Sequence, residues 1–85
     1  MDVRDRSTII LICEAIRKAD RPLSRLEIAQ ALDGETIPEM GRILELMIKQ
    51  GILKAKESKS QNNTSTFCYS LKEGFDLDQW RAASP

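Results

Sequence analysis

The sequence predicts a mainly α domain with a small β-hairpin, an α+β fold, and three observations carry that prediction. Residues 22–53, PLSRLEIAQALDGETIPEMGRILELMIKQGIL, hold two helix-start signals of the same kind, twelve residues apart. Apolar residues recur at helical spacing from Ile9 to Ile48. After Gly51 the period changes to two, with Phe67, Tyr69 and Leu71 alternating with small or polar residues.

The first helix is expected from about Asp5 to Ala19, with Ile9, Ile12, Cys13 and Ile16 as its apolar stripe. Ile10 and Leu11 fall off that stripe. Asp20-Arg21-Pro22 ends the helix, because the residue before a proline resists helical geometry. A short first strand around Arg21 to Leu23 fits the stretch that follows. Ser24 and Glu27 then have the spacing of a capping box, in which the hydroxyl and the carboxylate each take an orphan amide. Leu23 and Ile28 flank it as a hydrophobic staple. The second helix covers about Arg25 to Leu32, with Leu26, Ile28, Ala29 and Leu32 apolar.

Gly34 supplies a stop that tolerates positive φ. Thr36 and Glu39 repeat the capping box, and Pro38 falls in the first turn, where its missing amide hydrogen costs little. The third helix is expected from about Ile37 to Gln50, with a stripe of Ile37, Met40, Leu44, Met47 and Ile48 and with Ile43 at its margin. A short helix, a tight turn and a longer helix make a helix-turn-helix layout. Strands are expected at Ile52–Lys56 and Thr66–Leu71, joined by a polar, mobile loop over 58–65. The expected core is Ile12, Ile16, Leu26, Ile28, Leu44, Met47, Leu53 and Tyr69. Asp76 and Gln79 are spaced as a capping pair for a short C-terminal helix through Ala83, whose apolar face is Phe75, Leu77 and Trp80. That helix either closes the same core or pairs with a second copy.

Composition bounds the function. An 85-residue chain supports one core, and a domain of that size buries only roughly 60% of its unfolded surface. At 41% hydrophobic and 31% charged residues it reads as a folded domain rather than a disordered chain. No apolar run approaches the ~20 residues of a membrane span. Two cysteines without a secretory signal point to free thiols in a reducing cytoplasm. With no histidine, no glycine-rich phosphate loop and no paired cysteines, neither enzymatic chemistry, a metal nor a cofactor is expected.

The formal net charge is zero, which argues against a general polyanion binder. Its distribution is uneven. Arg17, Lys18, Arg21 and Arg25 against Asp20 make residues 17–25 net +3, and Lys49, Lys54, Lys56 and Lys59 against Glu57 make residues 49–59 net +3. Between them, Asp33, Glu35, Glu39 and Glu45 against Arg42 make residues 33–45 net −3.

PLSRLEIAQAL, then LELMIKQGILKAK, then FCYSL resemble the winged helix-turn-helix superfamily. The matching features are the proline before the second helix, Ile28-Ala29 within it, Leu44 and Met47 before Gly51-Ile52-Leu53, and Tyr69-Ser70-Leu71 at the end of the last strand. The resemblance covers about residues 9 to 71 and specifies the fold, not one family within it. It implies three helices plus a two- or three-stranded wing over residues 1–75, with 76–85 as a C-terminal segment. It further implies that the third helix, 37–50, lies in a major groove while the 54–66 hairpin meets the backbone.

On that reading the chain is a small sequence-specific DNA-binding protein, a transcriptional regulator acting as a dimer in the cytoplasm or at the nucleoid. Arg42 and Lys49 project from the centre of the third helix's exposed side, with Pro38, Glu39, Glu45 and Leu46 around them. Arg42 suits a bidentate pair with guanine, worth ~1–3 kcal/mol of discrimination. Arg25, Lys49, Lys54, Lys56 and Lys59 suit phosphates, and Thr36, Ser58, Gln61 and Asn62 suit neutral contacts to the backbone. The alternative is a protein-interaction module, an adaptor, subunit or inhibitor from a mobile element, that binds no DNA. Leu11, Leu46 and Trp80 are its expected contacts, and the acidic start of the third helix favours it. RNA is a weaker reading, since four aromatic residues are few for base stacking.

Overall fold

Ile9, Ile12, Cys13 and Ile16 are all buried along α1 (Val3–Ala19) in the computed structural model, which describes residues 3–32, 40–59 and 65–83. The chain continues through β1 (Leu23–Ser24), α2 (Arg25–Ala31), α3 (Met40–Lys49), β2 (Leu53–Lys59), β3 (Ser65–Leu71) and α4 (Leu77–Ala83). The described residues thus form an α+β fold of four helices and one antiparallel sheet with strand order β1-β3-β2. β3 is central, pairing Leu23 with Tyr69 and Ser24 with Cys68 on one side, and Leu53 with Leu71 through Lys59 with Ser65 on the other. No helix among them is long and apolar enough to cross a membrane.

The core lies between the helices and one face of the sheet. Ile28 from α2, Met40, Ile43, Leu44 and Met47 from α3, and Leu23, Ile52 and Leu53 around the sheet join the α1 stripe. Leu77 of α4 joins them, with Phe75 and Trp80 packed alongside, so the C-terminal helix closes the same core. Its start is capped by Asp76, whose Oδ1 accepts the amides of Asp78 at 3.0 Å and Gln79 at 3.2 Å.

The end of α3 explains Gly51. The Ile52 amide donates to the Met47 carbonyl at 2.9 Å and the Gly51 amide to the Ile48 carbonyl at 3.1 Å. This is the paired pattern of a Schellman stop, and it requires the positive φ of 76° that Gly51 adopts. Ile52 and Met47, which flank the stop, are both buried. α1 ends less comfortably, since Asp20 takes φ 54° with a side chain present.

Several expectations change. Leu26 is 68% exposed rather than buried. It stands two positions from Ile28, roughly 200° around the helix, so a helix that buries Ile28 turns Leu26 outward. Tyr69 is half-buried against the core, and Ile48 is 39% exposed. Ile43, assigned to the margin of the stripe, is buried. β2 continues through Lys59 and β3 begins at Ser65, so 58, 59 and 65 belong to paired strands and not to a mobile loop. Thr36, Pro38, Glu39 and the Gly34 stop, like Gln61 and Asn62, lie outside the described residues.

Two kinds of substitution test this packing. Leu44→Ala or Met47→Ala is expected to cost ~2–5 kcal/mol through lost burial and cavity formation. Gly51→Ala is expected to cost ~1–2 kcal/mol, because a Cβ is disfavoured at left-handed φ. Urea unfolding reads both, and an unchanged midpoint for the α3 variants would mean the stripe is misplaced.

Candidate nucleic-acid interface

The lead into α2 is held by one carboxylate. The Ser24 amide donates to Glu27 Oε1 at 3.0 Å, and the Glu27 amide donates to Ser24 Oγ at 3.2 Å. The predicted capping box is therefore complete. Glu27 Oε2 in turn accepts from the Arg21 guanidinium. The Arg21 guanidinium and the Ser24 amide together hold the Glu27 carboxyl well below the usual range, at about 2. Solvent reaches both members of the ion pair, so the Coulombic part alone contributes little.

α3 presents a polar outward face. Arg42, Glu45 and Lys49 are exposed on the side opposite Met40, Ile43, Leu44 and Met47. Arg42 reaches α1, where its Nη2 donates to both Asp5 oxygens at 3.1 and 3.3 Å. Lys49 pairs with Glu45 one turn back at 3.7 Å. Arg25 lies across the start of α3, with its Nη1 3.5 Å from where a Cβ on Gly41 would stand. That is ordinary contact, so Gly41 accommodates a side chain rather than a close approach of helix backbones.

The lysines of β2 divide between two faces. Lys54 and Lys56 alternate with buried Leu53, so they project from the sheet face turned away from the helices. There they line a groove of about 720 Å³ with Arg21, Pro22, Cys68 and Ser70, and Glu57 and Leu71 reach its margin. Lys54 also pairs with Glu73 at 3.7 Å. Lys59 shares the parity of Leu53 and belongs to the helix-facing side. The predicted set is therefore not one surface. Arg25, Arg42, Lys49 and Lys59 fall on the helix side, Lys54 and Lys56 on the other, and Thr36 and Asn62 lie outside the described residues.

The apolar candidates also separate. Leu11 is 51% exposed on α1, as expected. Leu46 is half-buried against the core instead of standing on the outward face of α3. It is four residues from Arg42, on the side of α3 that reaches α1. Ile10 is packed likewise. Trp80 is half-buried, with the Arg6 guanidinium 5.7 Å from its ring centre, and Arg6 donates to the Arg81 carbonyl at 2.7 Å. α4 is thereby tied to α1, and Arg81 adds a contact to Glu14 at 3.4 Å.

Sequence reasoning missed Asp5, because nothing local links it to a residue thirty-seven positions away. The split of the lysines was readable, since alternation with Leu53 fixes which face each one takes. Burial pushes the Cys13 thiol up to about 11, which keeps it protonated, while Cys68 is half-buried and lines the outer groove. No family model, curated protein or solved structure matches this chain.

The depressed Glu27 carboxyl yields a pH prediction. Its folded value of about 2 lies below its ordinary 4.5, so its contribution is complete above pH 4.5 and lost as pH falls toward 2. The stability gap between the protein and Glu27→Gln is expected to be largest near neutrality and to close across that window. Urea midpoints measured from pH 7 to 2 check it, and a gap independent of pH would contradict the assigned hydrogen bonds.

Proposed function

We propose that the chain is a winged helix-turn-helix domain that binds duplex DNA, with α3 presented to the major groove and the β2–β3 hairpin to the flanking backbone. The observation that carries this reading is the outward face of α3. Arg42, Glu45 and Lys49 are exposed there on a helix whose opposite side supplies four buried residues. The element order and the β1-β3-β2 sheet agree with the resemblance of residues 9 to 71. Arg42 is the base-reading side chain, and Lys49, Arg25 and Lys59 are the phosphate contacts. Such a protein regulates by occupying its site, and a twofold dimer would set two copies of α3 one duplex turn apart.

Arg42 must exchange Asp5 for DNA. The guanidinium is 52% exposed and the Asp5 side chain 17%, so solvent reaches the bridge from the arginine side and weakens it. The second reading, a protein partner docking on α3, is favoured by the same pairs, since Asp5 and Glu45 already neutralise Arg42 and Lys49.

A salt series against random duplex DNA separates the two. DNA binding requires a negative log–log slope from counterion release, and Lys49→Ala is expected to reduce that slope by about one unit. Asp5→Asn, which removes the Asp5 charge facing Arg42, is expected to raise affinity. A slope near zero for the unaltered protein removes the DNA reading.

A further inference from the structure

β2 is an edge strand, and its outer side is open. It pairs with β3 one residue to one from Leu53 through Lys59, with no bulge and no proline. Among the described residues, no backbone group outside β3 bonds to 54–59. The phase of the ladder follows from the Lys72 amide, which donates to the Ile52 carbonyl at 2.9 Å. In an antiparallel pair, bonded and non-bonded positions alternate. Even-numbered residues of β2 therefore bond to β3, and Leu53, Ala55, Glu57 and Lys59 turn their amides and carbonyls outward. Proteins blunt such edges with bulges, proline or lysine, and here only lysine is present.

We propose that the outer edge of β2 binds an extended acidic segment of another protein as a fourth, antiparallel strand. Lys54 and Lys56 select it by charge. If Leu53, Ala55 and Glu57 form the new hydrogen-bonded pairs, Lys54 and Lys56 occupy the non-bonded positions between them. At those positions facing side chains approach most closely, with Cα atoms about 4.5 Å apart. Carboxylates at alternate positions of the incoming strand then meet both lysines on the outer face of the sheet, and uncharged residues fall between them. Backbone bonds supply affinity and the alternate side chains specificity.

A second copy of this chain fits poorly at the same edge. Twofold antiparallel pairing of β2 with itself sets Lys56 against Lys56 when the strands overlap fully. Moving the register by one step either way sets Lys54 against Lys56 twice, or Glu57 against Glu57. Like charges directly opposite are destabilising. An acidic partner removes the conflict, and the Lys54–Glu73 pair illustrates the preference at one of the two positions.

The test uses a capped seven-residue peptide alternating glutamate with valine, and a matched peptide alternating lysine with valine. The acidic peptide is expected to bind and to slow exchange of the Ala55 and Glu57 amides. The Lys54 and Lys56 amides, already bonded to β3, should be unchanged. Ala55→Pro removes an outward donor while leaving the β3 ladder intact, and is expected to weaken binding about tenfold or more. Should that variant fail to fold, Lys54→Glu combined with Lys56→Glu is expected to switch preference to the lysine peptide. Equal binding of both peptides overturns the proposal, as does binding that survives Ala55→Pro in a folded protein, or a double variant that keeps its preference for the acidic peptide. Protection of Ala55 and Glu57 that rises with protein concentration alone overturns it in favour of a second copy.

Discussion

The reciprocal hydrogen bonds between Ser24 and Glu27 join β1 to α2 with no connecting residue. β1 has only two residues, too few to hold a position by its own ladder. Ser24 is at once the partner of Cys68 in the sheet and the cap of α2. The same carboxylate therefore fixes the edge of the sheet, the start of a helix and, through Arg21, the turn leading out of α1. With that junction set, Leu23 and Ile28 enter the core on either side of it, and Arg25 is placed across the start of α3.

The second constraint is the Gly51 stop. It reverses the chain between α3 and β2, so that Met47 and Ile52 face the same core and Leu53 begins the strand on the inner face. From there alternation sends Lys54 and Lys56 outward. The β-hairpin thus carries two surfaces of different character. Its helix side continues toward α3 and Lys59, and its outer side is the lysine-lined groove with Arg21. A nucleic acid on α3 and an added strand on β2 would meet different sets of side chains.

Much of this was legible in the sequence because it is local. The Ser24–Glu27 box, the stripes of α1 and α3, the period change after Gly51 and the Asp76 cap all depend on residues within one or two turns. Leu26 was misread because apolar character alone does not say which way a seven-residue helix is turned; tertiary packing of Ile28 decided it. The strands ran longer than their apolar residues because the one-to-one register carries polar positions such as Ser58 and Lys59 along with it. At the site, the residue types and the faces of the strand lysines were readable, but the contacts of α3 across the fold were not. Arg42 meets Asp5 across the fold, and Leu46 is held by the core, both consequences of how α1 lies on α3.

As proposed, the outward face of α3, and not the outer face of the sheet, meets duplex DNA. Amide chemical-shift mapping with a short duplex tests it most directly. Resonances of Arg42, Glu45 and Lys49 are expected to move with added duplex while those of Lys54, Lys56 and Ser70 stay in place. Shifts confined to the outer sheet face, with α3 unmoved, would contradict it.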